Sequence, residues 1–323
     1  MAPPDRARDV GTAVPATGEA LPSPQAAQEE NPQARLERAR AALRRDLARL
    51  EGEGPGEGGR EGHREGGHDP PRGRRDVGGR VRLGAPALDA ALGGGLARAR
   101  LHEVMARAAG DLGAAHGFAA ALAARLVAAK GASGGAAVWI QDETAAREDG
   151  GLYGPGLAMH GLDPARLLLV RAKDPREALW AAEQALRCRA LAAVLVEIGR
   201  LGGVYDLTAS RRLVLAAREG GAAGVLVRAA AGAGAEAFAS AAATRWIVAA
   251  RPSRPGLAGE PGAPAWTVSL ARHRGGREGI FDLEWNHEHC VLAELEALSR
   301  DRPAASGDGA GGPPAALPFR RRA

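Results

Sequence analysis

Lysine is nearly absent from this 323-residue chain. Of 43 basic residues two are lysines, Lys130 and Lys173, and the rest are arginines. Any chemistry that needs an ammonium therefore has two candidates. Histidine and cysteine cluster in His287-Glu288-His289-Cys290. Alternation on a strand would put His287 and His289 on one face, as two metal ligands require, with Cys290 pointing the other way. No further ligand clusters with them in the sequence, and no metal site is expected. No arrangement of Ser, His and Asp rises above chance. The two cysteines, Cys188 and Cys290, are too few for a disulfide framework and fit a reducing cytoplasm.

The elements that must carry such residues have an unusual composition. The apolar fraction is 45%, yet 74 residues are alanine and 3% are aromatic. The core must therefore be built from Leu, Val, Ile and Ala. The net charge of +5 is spread along the chain. Residues 1–80 hold 14 basic and 14 acidic groups, 81–298 hold 24 and 22, and 299–323 hold 5 and 2. An electrostatic footprint for nucleic acid concentrates Arg and Lys in one region. The pI of 9.9 is then weak support for DNA binding, and DNA contact is expected to be indirect or weak. The longest apolar stretch, 118–129, is broken by Arg125 and falls short of the ~18–20 residues of a membrane span. The start MAPPDRARDV has no apolar h-region. A cytoplasmic chain without membrane contact is expected.

Residues 1–30 read as disordered, being rich in Pro, Ala and charge without periodicity. Asn31-Pro32 offers an N-cap and a first-turn proline. Leu36, Ala39, Leu43, Leu47 and Leu50 follow at three- and four-residue steps, predicting a short Arg-rich amphipathic helix over 33–51. That helix either packs on its own domain or docks a partner. Residues 52–80 are a Gly-rich linker. From Val81, short Val/Ile/Leu runs alternate with Ala/Leu stretches, which predicts a parallel sheet covered by helices. Strands are expected at 101–105, 136–140, 167–171, 193–198, 225–228 and 246–250, with helices near 117–129, 175–190 and 207–219. Strands at 266–272 and 280–285 flank Arg274-Gly275-Gly276-Arg277, a hairpin-like turn. The organisation is thus an extension (1–80), an α/β domain (81–298) with a C-terminal antiparallel hairpin, and a disordered basic tail (299–323).

The run Leu88-Asp89-Ala90-Ala91-Leu92-Gly93-Gly94-Gly95-Leu96, followed by Arg100-Leu101-His102-Glu103-Val104, resembles the entry to the core of RecA-like ATPases. The resemblance continues in order. Ala137 to Glu143 is similar to the second core strand, whose terminal glutamate activates water in active relatives. Residues 191–197 are similar to the strand bearing the Walker B acid, and Val225 to Arg228 to the strand before the second DNA-contacting loop. Residues 266–285 resemble the closing hairpin. The resemblance implies an α/β, RecA-like P-loop core: a largely parallel sheet flanked by helices.

In that alignment the phosphate loop is Ala106 to Phe118, with Arg107, Gly110, Gly113, His116 and Gly117 as its candidate groups, and Glu143 and Glu197 as the acids. A phosphate loop needs glycines for close backbone approach, a Lys against the β- and γ-phosphates and a Ser or Thr for Mg²⁺. Here there is no lysine and no hydroxyl, and a carboxylate is added at Asp111. Glu197 is longer than the usual Asp. The combination resembles the ImuA family of inducible-mutagenesis proteins, RecA-like with a degraded P-loop. Supporting segments are Leu152-Tyr153-Gly154-Pro155-Gly156, Gly161-Leu162-Asp163-Pro164 and Asp206-Leu207-Thr208-Ala209-Ser210-Arg211-Arg212.

That resemblance implies a non-catalytic accessory of error-prone translesion DNA synthesis in the SOS response. Its partners would be an ImuB-like protein, an error-prone DNA polymerase of the replicative alpha type, and RecA. No cofactor is expected beyond weak ATP binding. Arg211 and Arg212 are candidate DNA or partner contacts, against a solvated helix face. The segment 229–236 has no Arg, Lys or aromatic residue, which argues against filament-type single-strand binding. Trp139 and Trp180 are expected in the core. The rival readings are a DNA-dependent ATPase using Arg107 or His116, and a direct regulator of RecA filaments.

Overall fold

The alternation of short β-branched runs with Ala/Leu stretches builds one large sheet covered on both faces. The structure is a computed structural model that describes residues 32–52, 79–130, 135–199, 203–228, 239–254 and 262–295. The expected linker, the basic tail, residues 1–31 and the segment 229–236 fall outside the described residues. The chain divides into two compact units, Met1–Arg45 and Asp46–Ala323. What is described of the first is helical, the beginning of α1 (Pro32–Gly52). In the second unit the end of that helix is held by its neighbours: Cys188 Sγ donates to Leu47 O (3.7 Å) and the Arg189 N–H to Glu51 Oε1 (3.0 Å).

The elements of the second unit follow in order: β1 (Arg80–Val81), α2 (Pro86–Ala91), β2 (Leu96–Ala97), β3 (Leu101–Ala106), α3 (Leu112–Ala128), β4 (Ala136–Asp142), α4 (Glu143–Glu148), α5 (Gly154–Met159), β5 (Leu167–Ala172), α6 (Pro175–Arg187), β6 (Leu191–Ile198), α7 (Leu207–Gly220), β7 (Ala223–Arg228), β8 (Thr244–Arg251), β9 (Ala265–His273), β10 (Gly279–Asn286) and β11 (Val291–Glu294). Among the described residues the main sheet has nine strands in the order β11-β10-β9-β8-β3-β7-β6-β4-β5. Strands β3 to β8 pair in parallel, and β8 to β11 run antiparallel. The expected largely parallel sheet with flanking helices and an antiparallel C-terminal end is therefore what the chain forms.

Parallel strands are covered on both faces and read as continuous apolar runs; all six residues of β3 and all eight of β6 are buried. On one face α3 lies against β3, β6, β7 and β8. Its buried alanines (Ala115, Ala119, Ala120, Ala123) let the helix approach closely. Phe118 then packs edge-on against Trp246 and Trp266, with ring centroids 5.6 and 5.9 Å apart. On the other face α6 covers β4, β5 and β6, and α7 covers β3 and β7.

Some expectations are corrected. Helix α3 starts at Leu112 rather than Gly117, because the Ala-rich run before His116 continues the helix. A further strand, β11, pairs with β10. His287 and His289 do not share a strand face. They sit in the β10–β11 turn, which closes when the His289 N–H donates to Asn286 Oδ1 (2.9 Å), while His287 Nδ1 meets Met159 O (2.9 Å). Among the described residues no group of three His, Cys, Asp or Glu could hold a metal. Trp139 is buried as expected, whereas Trp180 is half-buried in a cleft between α6 and α7. Among the described residues no helix is long and apolar enough to cross a membrane.

On β3, in the middle of the sheet, two polar residues are buried. Glu103 of β3 has no exposed surface; it accepts from Arg245 Nε (2.7 Å) and from the Tyr205 hydroxyl (2.6 Å). His102 is equally buried, bonded to Thr244 Oγ1 (2.7 Å) and to Ala97 O (2.8 Å). Burial, reinforced by the positive charges of His273, Arg100 and Arg80, lowers its pKa to about 4 against the backbone hydrogen bond.

Removing one partner of a buried ion pair strands the other charge. Arg245→Ala is expected to lower unfolding free energy by about 3–5 kcal/mol in urea denaturation. Glu143→Ala, which removes an exposed pair with Arg147, should change it by less than about 1 kcal/mol. Equal small effects would show that the buried pair does not hold the sheet. For His102 the unfolded chain takes up a proton near pH 6.5 and the folded one only near pH 4. Its contribution is therefore complete above pH 6.5 and is lost as pH falls toward 4, by about 3 kcal/mol in all. Denaturation midpoints of wild type and His102→Gln across pH 7 to 4 check this: the variant should lose that part of the acid slope.

Candidate functional site

The strand β3 delivers the chain to the loop where a phosphate would be held. Arg107, Ala108, Ala109 and Gly110 are exposed, and Ala109–Asp111 form a short 3-10 turn leading into α3. The loop is tied to β8, since the Arg107 N–H donates to Val248 O (2.8 Å). The Asp111 carboxylate is turned back on the chain. Its Oδ2 accepts from the Ala108 N–H (3.1 Å) and its Oδ1 from the Ala250 N–H (2.8 Å). Phosphate loops bind anions through backbone N–H groups. In this loop an anion supplied by the chain already engages one such group and a neighbouring one on β8.

A nucleotide of the kind the RecA-like resemblance implies would find neither lysine nor hydroxyl in this loop. Leu112 and Gly113, which open α3, carry neither an ammonium nor a hydroxyl. Gly110 and Gly113 have open space where a Cβ would stand. Gly117 faces Trp266 instead, its Cβ position 3.2 Å from Cζ2. Lys130 lies beyond the far end of α3, donating to Leu191 O (3.0 Å) and Arg189 O.

Glu197, on β6, is the hub of a second cluster. His116 Nε2 lies 3.0 Å from its Oε1, while Oε2 accepts from Gln141 Nε2 (2.7 Å) and Trp139 Nε1 (3.3 Å). Burial alone would raise the pKa of this carboxyl. Hydrogen bonding and charge from His116, with help from Gln141 and Trp139, hold it below the usual value. Asp149 moves the other way, raised by desolvation and by the charges of Glu197, Glu148 and Asp142, with His116 opposing. Glu143 takes no part in this cluster among the contacts described. It opens α4 at the surface and pairs with Arg147 (2.9 Å). Its neighbour Asp142 is wholly buried, capping α4 at the Ala145 N–H (2.7 Å) and accepting from Gly199 (3.1 Å).

The structure thus brings His116 and Glu197 together and leaves Glu143 and Arg107 at the surface. Trp139, Gln141 and Asp142 were not read as site residues. Strand alternation puts Trp139 and Gln141 on one face of β4, and an Asp three residues before Ala145 has N-cap spacing; those signals were available. Beside this cluster lies a cavity of about 650 Å³, walled by Trp139, Leu152, Leu157, His160 and Pro264, with Tyr153 and Met159 exposed at its rim. Arg211 and Arg212 are exposed on the first turns of α7. Arg212 is engaged by Glu183 of α6, which also pairs with Arg187 (2.8 Å).

Two curated relatives, Protein ImuA from Caulobacter vibrioides strains NA1000 / CB15N and ATCC 19089 / CB 15, are each 38% identical over 220 residues, covering 63% of this chain and 82% of theirs. The chain belongs to the ImuA family. No family model matches it. Among solved structures, the RadB recombinase is similar with a TM-score of 0.47 and 19% identity, over 67% of this chain and 100% of that one. In this ImuA-family chain the loop carries Arg107 but neither lysine nor hydroxyl, has Asp111 turned onto its backbone, and lies beside Glu197 and His116.

Asp111→Ala removes the acceptor for two backbone N–H groups. It is expected to lower stability by about 1–2 kcal/mol, read from urea midpoints. A change under about 0.3 kcal/mol would mean that water replaces the carboxylate without loss.

Proposed function

We propose that the chain is a non-catalytic, RecA-like accessory protein of inducible mutagenesis, acting as a protein-binding adaptor in error-prone synthesis across DNA lesions. The observation that supports this most is the inward-turned Asp111 carboxylate in a loop lacking Lys, Ser and Thr. An incoming phosphate would meet a like charge where donors are needed, and would find no hydroxyl to share a Mg²⁺. Glu143, the residue aligned with the water-activating glutamate, is engaged with Arg147 at the surface. On this reading the fold serves as a platform for an ImuB-like protein and an error-prone alpha-type polymerase, with RecA a further partner, and the compartment is the cytoplasm.

ATP turnover and partner capture test the two halves of the proposal. The purified chain should hydrolyse no ATP above background, with or without single-stranded DNA. Turnover abolished by Glu143→Gln would overturn the non-catalytic half. Tagged full-length chain should recover a polymerase-related protein from DNA-damaged cells. Capture lost on deletion of residues 1–80 would assign the hook to the extension, and recovery of no polymerase-related protein would overturn the adaptor half.

A further inference from the structure

The charge that is evenly spread along the sequence is not evenly placed in the fold. Strands β3, β4, β6, β7 and β8 are parallel, so their amino-terminal ends lie along one edge of the sheet, opposite the phosphate loop. The antiparallel β9 ends at that same edge, where His273 pairs with Thr244. The segment before β3 therefore meets the β9–β10 turn. The Arg274 N–H donates to Ala243 O (3.0 Å) and the Arg277 N–H to Ala91 O (3.1 Å). Arginines from distant parts of the chain gather as a result. Arg274 and Arg277 are exposed, Arg98 and Arg272 half-buried, and Arg189 is exposed where the chain enters β6, beside Lys130.

These groups feel one another. The pKa of Arg272 is lowered by burial and then by Arg274 and Arg245; that of Lys130 is lowered by burial and then by Arg98. Carboxylates are present at this edge but are used or few: Glu51 accepts from the Arg189 N–H, Glu219 pairs with Arg187, and Glu278 is exposed beside Arg277. We infer that this amino-terminal edge of the sheet binds the phosphate backbone of duplex nucleic acid, independently of sequence.

The chemistry selects the ligand. Guanidinium forks match phosphate oxygens in geometry as well as charge. The large exposed apolar side chains among the described residues are Tyr153, Met159, Leu169, Leu207, Leu215 and Ile280. Of these only Ile280 borders the arginine turn, so the edge offers no aromatic platform for unstacked bases and no apolar face for a membrane. From β9 to β6 the edge crosses four strand spacings, about 19 Å at ~4.8 Å each. That is room for about four phosphate contacts, which predicts a salt slope near −3.6, or roughly a hundredfold loss of affinity between 50 and 200 mM salt.

Fluorescence anisotropy of the full chain with a labelled 20-base-pair duplex tests the inference. Binding at 50 mM salt that weakens about a hundredfold at 200 mM is expected. Arg274→Gln/Arg277→Gln should weaken it at least tenfold and flatten the salt dependence. Arg98→Gln, away from the turn, should do so in part, and Arg171→Gln, at the opposite end of β5, should not. Absent or salt-insensitive binding, unaltered binding by the edge variants, or loss on Arg211→Gln instead would overturn it. So would tighter binding of the single strand, or equal competition by phosphatidylglycerol vesicles. Thermal melts of each variant show that it is folded, so that lost binding is not lost structure.

Discussion

Glu103 is the residue around which the rest of the sheet is arranged. A carboxylate with no exposed surface, in a strand whose other residues are apolar or buried, carries a desolvation penalty of several kcal/mol. Arg245 and the Tyr205 hydroxyl offset it by direct hydrogen bonds. Each comes from a different part of the chain. Arg245 holds β8 beside β3, where the antiparallel end of the sheet begins. Tyr205 holds the segment entering α7 against the strand that leads to the phosphate loop. Its own pKa is pushed well up by burial and by Glu103, so the hydroxyl stays a donor. Ser240, reached by Arg245 Nη2 (3.2 Å), also accepts at its carbonyl from Arg272 and Arg274. The buried pair thus extends into the arginine cluster at the amino-terminal edge.

Three carboxylates follow one pattern. Glu103, Asp111 and Glu197 are each turned onto donors of this chain: a guanidinium and a phenol, two backbone amides, and an amide with an indole, His116 lying 3.0 Å from Glu197 as well. A site that handles phosphate keeps donors free and pre-aligned for a ligand. Here the Ala108 and Ala250 N–H groups beside the loop are engaged internally, which ties the loop to β8. The same contacts that steady the loop are those on which the proposed non-catalytic role rests, and His116 lies 3.0 Å from Glu197 beside them.

Much of the fold was legible because fully buried parallel strands write themselves as apolar runs. Ala193 to Ile198 and Ala136 to Ile140 could be little else, and Asp174-Pro175 has the N-cap and first-turn proline of a helix start that the structure keeps, the carboxylate capping at the Glu177 N–H. Legibility failed where a tertiary contact decides. His287 and His289 alternate as a strand would, but Asn286 closes a turn around them. Trp180 is large and apolar, but the space between α6 and α7 leaves one side of it open. Asp111 was visible as an added carboxylate; that it faces the Ala108 and Ala250 amides depends on β8, well over a hundred residues away, and no local pattern records that. The arginine edge failed for a plainer reason. Regional charge counts sum along the chain, whereas parallel strands bring together residues that enter them, however far apart in sequence.

The two ends of the sheet consequently differ in make-up. Asp111, Asp142, Glu143, Asp149 and Glu197 lie at or just beyond the carboxyl ends of β3, β4 and β6, together with Arg107 and Arg147, whereas Arg98, Arg189, Arg272, Arg274 and Arg277 gather at the amino ends. Ligands of open α/β sheets ordinarily bind at the carboxyl ends, where helix N-termini and loops present backbone donors. In this chain Asp111 and Glu197 are turned onto the chain's own groups at those ends, and on the proposed reading a phosphate is attracted at the opposite edge instead. On that reading the arginine edge would turn toward a polyanion. The carboxyl ends, with the apolar cavity at Tyr153 and Met159, then face outward. A platform that met nucleic acid with one edge would keep the other available for protein, as the proposed accessory role requires.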